Sequence, residues 1–185
     1  MNVFPLKRLT VLSLFSALSL AVFAIESAIP PLVPIPGVKL GIANIITLIV
    51  ISNYSDRDAL LVLLVRIVLS SLFFGQAMSF LYSLTGGLLC LLAMGLANRA
   101  LRGHFLFLTS IFGAIFHNLG QIGVALLLTS TLGVAAYLPF LILSGIITGL
   151  FTGLCAGFLN CYLTPLTSGS RSVRSEDDGN WGQSH

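Results

Sequence analysis

The sequence predicts an all-α integral membrane protein, six transmembrane helices in one bundle with both termini cytoplasmic. Three observations lead there. Only 8% of the residues are charged and 56% are hydrophobic, whereas a soluble domain carries about 25% charge. With a mean hydropathy of +1.02, the chain cannot cover a water-facing surface and needs lipid as its solvent. The apolar residues are gathered into six runs separated by short polar or Pro/Gly breaks. Finally, with the N-terminus inside, Lys7, Arg8, Arg57, Arg99, Arg102, Arg171 and Arg174 fall on the cytoplasmic side and only Lys39 on the outer side. That asymmetry is the one that orients membrane proteins.

The first run extends from about Leu9 to Ile29 and stops at the Pro30-Pro31 pair. Val22-Phe23-Ala24 after Lys7-Arg8 has the look of a signal-peptide cleavage site. The run continues past Ala24, however, and is long enough to span, so a retained helix is the reading adopted. The second run, Val38 to Ser52, follows the Pro/Gly-rich stretch Pro30 to Gly37 and ends at Asn53-Tyr54-Ser55-Asp56-Arg57-Asp58. The third, Ala59 to Phe74, turns at Gly75-Gln76 into the fourth, Met78 to Ala97. Asn98 to His104 leads to the fifth, Phe105 to Leu128, and the sixth is Tyr137 to Leu163. Runs two and three are short for a span of roughly 20 residues.

Residues 1–165 thus read as one transmembrane domain and 166–185 as a disordered cytoplasmic tail, rich in Ser, Gly and Asp and nearly free of aliphatics. The predicted location is the inner (cytoplasmic) membrane of a bacterial cell. The few basic residues near helix ends report orientation and not nucleic-acid binding. Cys90, Cys155 and Cys161 form neither a CxxC pair nor a Cys/His cluster. They read as packing residues, and no metal or cofactor is expected.

In the sixth run Gly145, Gly149, Gly153 and Gly157 recur every four residues. Small residues at that spacing let two helix backbones approach, which is where packing in lipid gains its energy. The pattern predicts a tight contact, either inside the bundle or with another copy or partner. Ser13, Ala17, Ala21, Ala24 and Ala28 form a similar, less distinctive series in the first run.

Polar groups in hydrocarbon are costly and are functional candidates by default. They are Glu26 at the outer end of run one, Lys39 and Asn44 in the first turns of run two, Arg66 in run three, Gln76 in the outer turn, and His117, Asn118 and Gln121 in run five. Arg66 lies roughly 10–12 Å, and the run-five set roughly 18–24 Å, from their helices' inner ends. All fall between mid-membrane and the outer surface, and no comparable set is expected in the inner half. This is the layout of a pocket open to the outside. Alternatively, Glu26 pairs with Lys39 and Arg66 bonds to the Asn and Gln side chains as a structural network. Pro34 to Gly41 leads into a helix start whose free N–H groups favour an anion. Two cations against one carboxylate lean the same way.

Ile35-Pro-Gly-Val-Lys-Leu-Gly-Ile-Ala-Asn-Ile45, Arg66 followed by Ser70 to Gly75, His117-Asn118-Leu119-Gly120-Gln121, and Ser144 to Gly149 together resemble the Gx transporter family, whose members are often labelled heptaprenyl diphosphate synthase component I. The resemblance covers about Leu9 to Leu163. That family is in turn similar to the substrate-binding (S) components of energy-coupling factor transporters. The resemblance implies six helices, a small substrate bound near the outer face, and docking onto a membrane scaffold with two ATPase subunits. It makes Ala17 and Ala21 a docking face of AxxxA type.

No Walker-type motif is present, and the one Asp-Asp pair, Asp177-Asp178, lies in the tail. Neither ATP hydrolysis nor prenyl chain extension is therefore expected of this chain. The leading expectation is a transport component that captures a small, anionic, cofactor-precursor or isoprenoid-like molecule. Its binding set would be Glu26, Lys39, Asn44, Arg66, Gln76, His117, Asn118 and Gln121. A non-catalytic membrane subunit of heptaprenyl diphosphate synthesis is the alternative.

Overall fold

Six α-helices and no strand make up the described part of the chain. The computed structural model describes residues 6–29, 39–74, 77–101 and 105–179; for Lys7, Ala77, Leu132 and 162–179 it describes the backbone alone. The helices are α1 (Leu6–Ala28), α2 (Asn44–Asn53), α3 (Asp56–Phe74), α4 (Ala77–Ala100), α5 (Leu106–Thr129) and α6 (Leu138–Gly179), with a 3-10 turn at Leu132–Tyr137 before α6. The expected all-α membrane bundle is what forms. Gln76 and the stretch Pro30 to Gly37 lie outside the described residues. Helix α6 continues past residue 165, so the expected domain boundary does not coincide with a helix end.

Four stretches are long and apolar enough to cross a bilayer, Arg8–Ala28, Met78–Ala100, Leu106–Thr129 and Gly133–Cys161. The other two helices differ, each for its own reason. Helix α3 has the length, 19 residues or about 28 Å, but carries Asp56, Arg57 and Asp58 in its first turn and Arg66 at its middle. Helix α2 has the apolarity but only 10 residues, about 15 Å against a hydrocarbon core of about 30 Å. It is not the full-length run expected from Val38.

The reason lies in packing. Asn44 and Ile46 to Ile51 of α2 are all buried, and the helix touches each of the other five. A helix that is apolar all round belongs in an interior. Irregular backbone such as Lys39 to Ala43 is tolerated at membrane depth only where protein encloses it.

Around α2 the longer helices pack largely in chain order, α1 on α3, α3 on α4, α4 on α5 and α5 on α6. Glycines set the two closest approaches. A Cβ on Gly120 would stand 2.8 Å from Gly86 Cα, joining α5 to α4. A Cβ on Gly149 would stand 2.6 Å from Ile111 Cα, one on Gly153 2.5 Å from Phe107 Cα, and one on Gly145 2.9 Å from Asn118 Nδ2. The glycine stripe of α6 is therefore an internal contact with α5. For Gly157 no described atom lies within 4 Å of its Cβ position. Ala17 and Ala21 sit on the exposed side of α1, while Leu12, Ser16, Ser19, Phe23 and Glu26 face inward.

Contrary to expectation, the half of the bundle expected to face the cytoplasm is not free of polar groups. Arg8 donates to Asp58 at 2.5 Å, Arg99 pairs with Asp56, and Asn53 donates to Asn160 at 2.6 Å. The hydroxyls of Ser110 and Thr152 bond at 2.8 Å between α5 and α6. The sequence pattern places Asp58 in a loop. Helix α3 instead starts at Asp56, with Ser55 Oγ accepting the Arg57 N–H at 3.2 Å. Carboxylates suit that N-terminal turn, and the early start draws Asp58 inside the bundle.

Candidate functional site

The early start of α3 also changes the depth of Arg66. Ten residues above Asp56 it stands about 15 Å up its helix, level with His117 at about 17 Å up α5. The two are close enough to interact electrostatically, and Arg66 interacts likewise with Glu26. Arg66 is 3% exposed, and among the described residues its guanidinium has no hydrogen-bond or ion-pair partner. The Phe23 ring lies 5.9 Å from the guanidinium carbon. Lys39 Nζ lies 3.6 Å from the same ring, within cation–π range, and donates to Ser27 Oγ at 2.6 Å.

Glu26 does not form an ion pair with Lys39. Its carboxylate accepts the backbone N–H of Gly41 at 2.5 Å and of Ala43 at 3.2 Å. The helix start expected to receive a substrate anion is filled by the protein's own carboxylate. The expected physical preference holds, since free N–H groups and the dipole do favour an anion there, but α1 supplies it. The bond also ties α1 to the leader of α2. Gly41 permits this because its φ is +80°, a conformation that costs other residues dearly.

His117 stands between two glycines. A Cβ on Gly41 would lie 2.8 Å from its Cδ2, and one on Gly86 2.9 Å from its Nδ1. A side chain on either residue would displace the ring. Gln121, one turn further on, meets His117 with its Nε2 2.9 Å from the imidazole Nε2; a side-chain amide nitrogen only donates, so the imidazole nitrogen accepts. Asn44, the first residue of α2, is next to this group, its Nδ2 3.0 Å from the Gly41 Cβ position. Both amide atoms of Asn44, Gln121 Oε1 and Thr47 Oγ1 are buried without a hydrogen-bond partner among the described residues.

The expected set therefore divides. Glu26, Asn44, Arg66, His117 and Gln121 converge where α1, α2, α3 and α5 meet, with Lys39 at the margin. All five are buried and Lys39 is partly exposed. Among the described residues Arg66 bonds to neither Asn nor Gln; Gln76 lies outside them. Asn118 faces elsewhere. One residue on from His117 means about 100° around the helix, and its Nδ2 donates to the Leu141 carbonyl at 2.6 Å, tying α5 to α6.

Sequence reasoning misses Phe23, Gly86 and Thr47. The Gly86-Gly87 pair in the middle of an apolar run is an available signal, since an interior glycine marks a close approach. Phe23 and Thr47 carry no such mark.

Lys39, Asn44, Arg66, His117 and Gln121 come from the same segments whose motifs resemble a known family. No curated protein and no solved structure matches the chain. A family model described as heptaprenyl diphosphate synthase component I matches residues 15–159, which takes in every member of the cluster and most of the bundle. This integral membrane chain belongs to the heptaprenyl diphosphate synthase component I family.

Proposed function

We propose that the chain is the membrane-embedded substrate-binding component of a transporter, and that the cluster around Arg66 holds its small-molecule substrate. One observation carries this reading, a buried arginine at mid-helix with no hydrogen bond or ion pair among the described residues. An arginine at that depth costs about 2.5–3.5 kcal/mol on insertion scales. A purely structural role would recover that through bonds to neighbours, and none is made to the described residues. Asn44 and Gln121 add unpartnered donors and acceptors beside it. Glu26 is committed to the α2 backbone, which leaves Arg66, with Lys39 at the margin, to receive a negatively charged group.

The substrate would reach the site from the outer side, past the Glu26–Gly41 bond that joins α1 to the α2 leader. Helix α1 suits movement, since among the described helices it packs on α2 and α3 alone. Its exposed Ala17 and Ala21 fit docking onto an energy-coupling factor scaffold with its ATPase subunits, as the resemblance implies. Native mass spectrometry of the chain purified from its own membranes tests the binding role. The expected result is a retained small molecule that disappears in Arg66→Ala and His117→Ala. Unchanged retention and uptake in both variants would refute the assignment.

A second reading, a non-catalytic membrane subunit associated with heptaprenyl diphosphate synthesis, is favoured by the family's description. Asp56 and Asp58 of α3 are each taken up by an arginine, which suits a partner more than a synthase. Co-purification separates the readings. Scaffold and ATPase subunits in the eluate select the first, and a soluble prenyl synthase selects the second.

A further inference from the structure

At the inner end of the bundle, far from the Arg66 cluster, α3 and α4 part to leave an open groove of about 250 Å³. Its walls are apolar, formed by Leu60, Leu91, Leu92 and Leu96, and Leu92 and Leu96 are exposed on the lipid side. Its rim is charged, with Arg57 and Arg99 on either side of Asp56. Asp56 is paired with Arg99. The exposed Arg57 side chain has no partner among the described residues, leaving the rim with one uncompensated cation. Gly95 keeps the groove open between them.

A leucine-lined slot facing the acyl chains, with a free guanidinium at its headgroup end, has the two-part chemistry of an amphiphile. We propose that this groove is a binding site for an anionic phospholipid of the adjoining leaflet, its phosphate on Arg57 and Arg99 and part of one acyl chain along Leu60, Leu91 and Leu92. Basic pockets between helices on the cytoplasmic side are a recurring means of holding acidic lipid headgroups. The carboxylate of Asp56 fixes Arg99 in place and limits the site to a singly charged headgroup.

Native mass spectrometry of the full chain in equimolar phosphatidylglycerol and phosphatidylcholine with matched acyl chains provides the test. The wild type should retain phosphatidylglycerol preferentially, by about fivefold for one juxtamembrane cation. Arg57→Gln should abolish the preference without changing the thermal midpoint, since this exposed side chain makes no hydrogen bond or ion pair among the described residues. Gly95→Leu should reduce retention of phosphatidylglycerol by filling the slot; its Cβ meets no described atom closer than Asp56 at 3.7 Å, and an unchanged thermal midpoint verifies that the variant folds. Added inorganic phosphate should not displace the lipid. An absence of preference in the wild type, an unchanged lipid ratio in Arg57→Gln, undiminished adducts in Gly95→Leu or displacement by phosphate would each overturn the proposal.

Discussion

Gly149→Ala and Gly157→Ala are the same substitution on the same helix eight residues apart, and the structure gives them opposite signs. At Gly149 the added carbon would stand 2.6 Å from Ile111 Cα, 3.0 Å from Ile111 N and 3.0 Å from the Ser110 carbonyl oxygen. Carbon contacts settle at about 3.5–4.0 Å, and the obstacle is backbone, so α5 and α6 must separate by about 1 Å. That separation strains the neighbouring approaches of Gly145 and Gly153, the Ser110–Thr152 bond and the Asn118–Leu141 bond. Overpacking of this kind costs about 1–3 kcal/mol, or a fall in thermal midpoint of roughly 2–12 °C for a chain this size. At Gly157 the carbon meets no described atom within 4 Å. Alanine there is neutral, or stabilises by up to about 1 kcal/mol through helix propensity.

The chain carries its own reporter for the measurement. Cys90 is fully buried, Cys155 is intermediate and Cys161 exposed. In a Cys155→Ser/Cys161→Ser background, a thiol-reactive fluorogenic dye reads unfolding from Cys90 alone. If the two variants melt together, the α6 stripe is not the α5 contact and the register between these two helices is wrong.

Three further predictions concern the ties between helices. Asp58→Asn should cost roughly 2–3 kcal/mol in denaturant titration, because Asp58 is 1% exposed and its partner Arg8 36%, short of the loss from breaking a fully buried pair; Asp56→Asn, in a more exposed pair, should cost less than about 1 kcal/mol. Equal losses would contradict the burial difference. Glu26→Ala should destabilise by about 1–2 kcal/mol by releasing two helix-start N–H groups, with Glu26→Gln recovering part of the loss through its remaining oxygen acceptor; amide hydrogen exchange at Gly41 and Ala43 should accelerate in the alanine variant. Asn118→Ala should lower stability by about 1–2 kcal/mol and leave ligand retention intact, in contrast to His117→Ala. Loss of ligand in Asn118→Ala without loss of stability would return that residue to the binding cluster.

Much of the site is legible in the sequence, and the exceptions follow a pattern. Glu26, Asn44, Arg66, His117 and Gln121 stand out because polar side chains are rare in apolar runs and costly in lipid. Their partners are not readable, because a partner depends on rotation and depth. Asn118 and His117 are adjacent in sequence yet serve different interfaces. Charge alone matches Glu26 with Lys39, whereas the nearest donors are backbone N–H groups of a helix start 15 residues away. Composition assigns Asp58 to a loop because a cluster of charges ends an apolar run, although carboxylates are welcome in a helix's first turn.

From the sequence alone come the solvent, the fold class and the existence of a tight contact at the α6 glycines, since apolar fraction and small-residue spacing are properties of the chain and hold in any packing. Tertiary structure decided which neighbour the glycines meet, that α2 is a short helix enclosed by the other five, and that Arg66 is left without a bond among the described residues. Those outcomes depend on where helices end and how they are turned. A shift of one residue turns a side chain by about 100° and moves it by only about 1.5 Å, so they are settled only when all six helices pack together.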